Sequence, residues 1–184
     1  MLSEKKTAVQ KINATLWLYF ILITVQGQAP KKVTAGLFFQ YTKTIYDQAK
    51  GNNPWGIGSG LQLWYNNPTK FKPAIELTGD LYLEDDKVAI IGADGKILDD
   101  VRGMVNLFFG SSFHPIENIY LSLTAGPSFI GGQTLFGIKP AVGFYFSGKH
   151  RSSCRISYIN IFDRNKPRKK DFGSLSFAFG LKLF

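Results

Sequence analysis

The sequence contains one cysteine and no apolar run long enough to cross a membrane as a helix. Cys154 is the only cysteine among 184 residues, so an intramolecular disulfide is excluded. It also lies far from the N-terminal apolar segment, which excludes a lipoprotein-type attachment cysteine behind that segment. The apolar segment, Leu16–Val25, has ten residues, whereas a membrane-spanning helix needs about 20.

The apolar segment and its flanks instead predict a secretory signal peptide. Three lysines precede it and small residues follow it, which is the order found in such peptides. We predict cleavage between Gly27 and Gln28, with Val25 at the minus-three position. The chain would then comprise a signal peptide at 1–27 and one domain at 28–184. The alternatives are an uncleaved anchor or the buried helix of a cytosolic protein.

Charged residues make up only 19% of the chain, and basic residues predominate. Removal of three lysines and one glutamate with the signal peptide lowers the formal net charge from +9 to +7. A nucleic-acid site would need this charge clustered on one face, but most basic residues fall at predicted strand ends or in one late loop. We therefore expect affinity for anionic lipid or a surface polyanion, and no nucleic-acid partner.

The rest of the chain repeats one plan: about ten residues with an apolar residue at every second position, bounded by turn residues. A period of two places one side-chain set on each face of a β-strand. Behind an export signal, this pattern is typical of an all-β, antiparallel, up-and-down transmembrane β-barrel. The eight predicted strands begin at or just before Lys32, Trp55, Phe71, Val101, Ile119, Ile138, Cys154 and Leu175.

Short and long connections between these strands alternate. Short turns are predicted at 66–69, 114–118 and 147–150, and mostly longer connections lie between them. Asp94-Gly95 between apolar runs indicates a hairpin in the second long connection. Bacterial barrels place short turns and both chain ends at the periplasmic side, with longer loops outside. The connection at Gly131-Gly132 is short for an outer loop.

The polar faces of the strands favour a membrane barrel over a soluble carrier. They are rich in Gly, Ser, Thr, Ala and Tyr, whereas a water-facing sheet would carry many more Lys and Glu. Gly56, Gly58 and Gly60 would leave room inside for Trp64 or Tyr82. Aromatic residues of the apolar set lie near strand ends, as in the interfacial girdles of membrane barrels.

The chain resembles the small eight-stranded outer-membrane barrels, of the kind seen in OmpX and the OmpA transmembrane domain. The resemblance covers about residues 32–184 and implies a location in the bacterial outer membrane. Such proteins commonly end in a phenylalanine that the barrel-insertion machinery recognises, as Phe184 would be here. In the usual signal, the alternate residues in register with that phenylalanine are apolar. Here they are Lys182, Gly180, Ala178 and Ser176.

Two motifs that could carry chemistry are better explained by structure. A barrel hydrolase would need a Ser-His pair near the outer leaflet, but His114 and His150 fall in predicted periplasmic turns. The glycines at 56–60 lie inside a strand with no following helix, so they do not form a phosphate loop. We predict no catalytic residue, cofactor or bound metal.

Two outer connections carry concentrated charge. The second contains an acidic cluster whose spacing fits no EF-hand loop, and we interpret it as a solvated loop tip. The fourth is basic: it is either a solvated loop or a surface that engages lipid A phosphates or another polyanion. The acidic residues are Asp85, Asp86, Asp94, Asp99 and Asp100, and the basic ones are Arg164, Lys166, Arg168, Lys169 and Lys170.

Six charged residues fall on the predicted inner face. Charges in a narrow lumen must be paired or hydrated, so we expect a paired network that closes the barrel to ions. The residues are Glu76, Asp80, Glu84, Arg102, Lys139 and Arg155.

The sequence thus predicts a non-enzymatic outer-membrane barrel with a structural or surface-interaction role through its outer loops. Expected partners are outer-membrane lipid, lipopolysaccharide, the insertion machinery and an extracellular or envelope partner. The alternatives are a narrow pore for small solutes and a secreted soluble barrel that carries an apolar ligand.

Overall fold

The computed structural model describes residues 32–46, 55–83, 103–146, 151–165 and 170–184. These residues form eight antiparallel β-strands, which confirms the predicted fold. Among them, no helix is long and apolar enough to cross a bilayer. The predicted signal peptide and its cleavage site lie outside the described residues. The strands are β1 (Val33–Tyr46), β2 (Trp55–Tyr65), β3 (Phe71–Leu83), β4 (Gly103–Ile116), β5 (Ile119–Ile130), β6 (Gln133–Tyr145), β7 (Ser152–Asn165) and β8 (Lys170–Lys182).

The sheet closes on itself without an unpaired edge. Each strand pairs with its neighbours in sequence, and β1 also pairs with β8, where Phe38 lies opposite Gly180. Closure pairs the backbone N–H and C=O groups of β1 with those of β8, which an open sheet would leave without partners in lipid. We call the end where β1 begins and β8 ends the terminal end, and the opposite end the loop end.

The shortest loop-end connection is a two-residue turn at Gly131-Gly132. Both residues have positive φ, at 55° and 74°, which is the geometry of a type I′ hairpin turn. Glycine adopts it without steric cost. The short connection that the sequence indicated here is therefore a tight hairpin.

The prediction of a turn at 114–118 is wrong in part, because β4 continues to Ile116. The backbone N–H of His114 donates to the carbonyl of Lys70, at 2.8 Å. A register shift between Phe113 and Ile116 accommodates Pro115 in the strand. Only Glu117 and Asn118 form the turn.

The outer face of the barrel is apolar all the way round. Leu61, Leu77 and Leu107 lie side by side on β2, β3 and β4, and Leu77 is 46% exposed. Aromatic pairs lie near both ends: Tyr41 with Trp55 at the loop end, and Phe71 with Phe113 at the terminal end. An apolar belt with aromatic girdles is the surface of a transmembrane barrel, and it is the reverse of a soluble carrier, whose apolar face is inside.

The inner face is polar in the middle of the barrel and packed around glycines. A Cβ on Gly56, Gly58 or Gly60 would overlap Tyr82, Asp80 or Phe38 respectively. The prediction that these glycines make room for Tyr82 therefore holds for Gly56 alone, because Gly58 makes room for Asp80 and Gly60 for Phe38. For Trp64 it is wrong, because the indole ring covers Gly36 on the neighbouring strand instead.

Candidate functional site

A buried ion cluster crosses the middle of the barrel. Glu76 of β3 accepts a hydrogen bond from Lys139 Nζ of β6 at 2.6 Å. Arg155 of β7 donates to both oxygens of the same carboxylate, at 2.7 and 3.3 Å. All three side chains are at most 3% exposed. The three strands are therefore linked through the lumen by one carboxylate and two cations.

Arg155 is also held by residues of β1 and β2. The Arg155 guanidinium lies over the Phe38 ring, with 4.1 Å from Cζ to the ring centroid, an arrangement that favours a cation. Its Nη1 also donates to Gln62 Oε1 at 2.8 Å. Neither Phe38 nor Gln62 was among the predicted site residues. Both belong to the inner set of their strands, which is the signal that could have found them.

The second described carboxylate of the lumen, Asp80, lies towards the loop end of β3. It accepts a hydrogen bond from Gln40 Nε2 and is 3% exposed. The buried middle of the described lumen thus holds two carboxylates, Glu76 and Asp80, and two cations, Lys139 and Arg155. Glu84 and Arg102, the remaining members of the predicted network, lie outside the described residues.

The loop end of the lumen contains an apolar cluster that sequence reasoning missed. The chain does not alternate at Ile159–Phe162, and no face could be assigned there; the structure turns Ile159 and Ile161 inward. Met104 and Phe108 were also overlooked, although each lies two residues from the inward-facing Asn106 and must therefore face the same way. The buried cluster comprises Tyr82, Met104, Phe108, Ile130, Ile159, Ile161 and Phe172, with Leu135 packed against it.

The basic fourth connection joins the end of β7 to the start of β8. Lys166, Arg168 and Lys169 lie outside the described residues, and so does the acidic cluster of the second connection. Arg164 and Lys170 lie in the flanking strands. At the base of this connection, Asp171 accepts hydrogen bonds from Asn160 Nδ2 at 3.0 Å and from the backbone N–H of Asp163 at 3.2 Å.

No group of His, Cys, Asp and Glu within the described ranges is arranged to hold a metal ion. The described carboxylates of the lumen are engaged by the cations and amides named above.

The terminal end of the lumen opens into a cavity of ≈ 120 Å³. His114 was predicted to be an exposed turn residue, but it lies in β4 and is half-buried in the wall of this cavity. Its ring stacks with Tyr120 and Tyr145, at centroid distances of 5.7 and 6.3 Å. Trp64 meets Tyr120 edge to face at 6.4 Å and donates to Ser112 Oγ at 3.2 Å.

The C-terminal strand follows the alternation read from the sequence. Leu175, Phe177, Phe179 and Leu181 are exposed on the apolar belt, while Ala178 is buried inside. Phe184 lies two residues beyond the end of β8 and out of register with the exposed set. Its role as an insertion signal stays a prediction.

Comparisons with known proteins find similarity of fold only. No family model and no curated protein matches the chain. The Yersinia pestis outer-membrane protein Ail, in a phospholipid nanodisc, is 12% identical with a TM-score of 0.52; the match covers 81% of this chain and 98% of that one. Neisserial surface protein A is 10% identical with a TM-score of 0.51, covering 84% and 98%.

A de novo designed transmembrane β-barrel is 8% identical with a TM-score of 0.50, and the match covers 84% of this chain and 98% of the designed one. The matches cover 98% of each of these chains, so the likeness extends over their whole folds. The chain therefore folds as a small eight-stranded transmembrane β-barrel of the kind found in outer-membrane proteins.

Proposed function

We propose that the chain is a non-enzymatic barrel of the bacterial outer membrane that acts through the connections at its loop end. The observation that carries the proposal is the combination of an apolar outer belt with a filled lumen. The belt suits a lipid environment. A filled lumen leaves the connections at the membrane surface as the parts that can meet a partner.

The filled lumen argues against the alternative function, a narrow pore for small solutes. A solute that entered from the loop end would first meet Phe108, Ile161 and Phe172, each 0% exposed. It would then meet the paired charges around Glu76. Moving an ion through these layers would require breaking apolar packing and an ion pair in succession, so we propose that the barrel does not conduct.

The basic fourth connection supports a polyanion as the partner at the loop end. Five basic residues fall within seven positions, from Arg164 to Lys170, and guanidinium and ammonium groups bind phosphate and sulfate oxygens. A protein of similar fold, Ail, has been crystallised with the heparin analogue sucrose octasulfate. We propose that this connection binds lipopolysaccharide phosphates or another surface polyanion.

The route to the membrane is also a proposal. Residues 1–27 would direct export and be removed, and Phe184 would be read by the barrel-insertion machinery. Both depend on the sequence pattern alone.

The test of loop-end binding is elution from a heparin column of the folded barrel in nanodiscs. The triple variant Lys166→Gln/Arg168→Gln/Lys169→Gln should elute at clearly lower salt than wild type, because three phosphate- or sulfate-binding charges are lost.

The matched control removes three exposed basic residues at the terminal end: Lys32→Gln/Lys70→Gln/Arg151→Gln. It changes the net charge equally and should elute close to wild type. Equal shifts for the two triple variants would mean that heparin responds to net charge, and would refute a binding surface at the fourth connection.

A further inference from the structure

The cavity at the terminal end has a cationic floor and a cationic rim. Arg155 and Gln62 line its inner end, and Lys72 and Lys182 line it nearer the opening. Lys72 lies four residues from the inward-facing Glu76 on β3, and Lys182 lies four residues from the inward-facing Ala178 on β8, so both positions are on the inner face. Among the described residues, no carboxylate lines this cavity. Three positive charges therefore face one small space.

The two residues at the floor of the cavity each carry a buried hydrogen-bond donor that lacks an acceptor among the described residues. Gln62 is 1% exposed and Arg155 is 3% exposed, yet Gln62 Nε2 and Arg155 Nε have no partner among the residues that the structure describes. The other polar groups of these side chains are engaged, since Arg155 Nη1 donates to Gln62 Oε1 at 2.8 Å and to Glu76 at 2.7 Å. A buried donor without an acceptor costs free energy, and both unmatched atoms here are donors.

The walls of the cavity are aromatic. Tyr120 and Tyr145 lie with ring centroids 5.1 Å apart, His114 stacks on both, and Trp64 meets Tyr120 edge to face. At this spacing the rings pack against one another, and together they form one apolar wall that a flat molecule can lie against. A bare inorganic anion would use the floor and the rim but would leave these walls uncovered.

We propose that this cavity binds a small, flat, aromatic carboxylate that enters from the terminal end. Its carboxylate lies at the cationic floor beside Arg155 and Gln62, its ring lies against the aromatic wall, and Lys72 and Lys182 attract the anion electrostatically. This site is at the opposite end from the fourth connection. The proposal of this site does not depend on the proposed polyanion surface.

The test uses the fluorescence of Trp64 in the folded barrel, reconstituted in nanodiscs so that no detergent competes for the cavity. Trp55→Phe leaves Trp64 as the single tryptophan of residues 28–184, and Trp55 lies on the outer face at the other end. Benzoate is the probe, benzamide its neutral isostere, and acetate the anion without a ring. Benzoate should change the emission saturably, with benzamide and acetate each at least about tenfold weaker.

Variants at the rim separate this site from general charge effects. Lys182→Met and Lys72→Met should each weaken benzoate binding several-fold, whereas Lys70→Met should leave it unchanged. Lys70 is exposed at the same end and donates to the Pro115 carbonyl at 3.4 Å, away from the cavity. A heat-dependent shift in gel mobility confirms that each variant is folded before titration. The proposal is overturned by absence of saturable benzoate binding, by equal binding of benzamide, or by equal losses in the Lys70 and Lys182 variants.

Discussion

Replacement of Glu76 by Gln should destabilise the folded barrel by about 3–5 kcal/mol, the usual cost of removing one partner from a buried ion pair. The carboxylate is 1% exposed and accepts from Lys139 at 2.6 Å and from Arg155 at 2.7 and 3.3 Å. Without it, two buried cations face each other, and Asp80 is the remaining carboxylate among the described residues of the lumen. At about 1.4 kcal/mol per tenfold change, the unfolded fraction should rise by roughly two to four orders of magnitude.

A second substitution separates the effect of an unbalanced buried charge from a simple loss of packing. Glu76→Gln/Lys139→Met removes one charge of each sign and restores balance between Asp80 and Arg155. The double variant should therefore be more stable than the sum of the two single changes predicts, with a coupling energy of about 0.5–3 kcal/mol.

The assay is urea unfolding of the barrel in lipid vesicles, followed by tryptophan fluorescence and by gel mobility. Glu117→Gln is the matched control, because Glu117 is exposed in the turn between β4 and β5, and its unfolding midpoint should stay near that of wild type. The reasoning is refuted if Glu76→Gln behaves like Glu117→Gln, or if the double variant is strictly additive.

Three further outcomes follow from the described surfaces. Leu77→Arg, in the middle of the apolar belt, should destabilise the barrel in vesicles by about 2–4 kcal/mol, whereas Ile116→Arg at the rim should cost about 0–1 kcal/mol; equal costs would contradict the placement of the belt. Gly143→Ala should lower the urea midpoint by an equivalent of about 1–3 kcal/mol, because its Cβ would overlap the Tyr120 ring, while Gly79→Ala on the open outer face should be tolerated. In planar bilayers, wild type and the charge-balanced double variant should both stay at baseline conductance, since the apolar cluster remains in place, and steady open-channel currents in either would contradict a closed lumen.

The strand count and the assignment of faces could be predicted because alternation has a period of two. Once Glu76 is placed inside, Thr78 and Asp80 must follow, and the structure places all three there. Residues that pair across neighbouring strands lie on the same face, so an assignment made on one strand carries over to the next. Leu61, Leu77 and Leu107 thus fall on one belt although they are far apart in sequence.

Sequence reasoning failed where apolar residues face inward. Ile159 and Ile161 follow a run whose outer positions are also apolar, so composition carries no information on direction there. Only the pairing of β7 with β8, which places Ile161 opposite Phe172, shows that they fill the loop end. The aromatic cavity was missed for a different reason: Pro115 indicated a turn, but β4 continues to Ile116, and its alternation places His114 on the inner face.

The ion cluster could be predicted as a set of inward residues but not as a set of contacts. Parity placed Lys139 and Arg155 on the inner face, but it cannot say which carboxylate each meets. The pairing of charges depends on the staggered register around the closed barrel, which brings Glu76 of β3 to the same level as Lys139 of β6 and Arg155 of β7. The role of Phe38 beneath Arg155 depends on the same stagger.

The central claim is that this chain forms a closed barrel that belongs in a membrane. The most direct test is gel mobility of the membrane-extracted protein in dodecyl sulfate, with and without heating, together with its distribution among cell fractions. We expect the unheated protein to migrate differently from the heated protein and to be found in the outer-membrane fraction, because a closed barrel resists unfolding by the detergent at room temperature. Detergent-free solubility with no mobility shift would contradict the account.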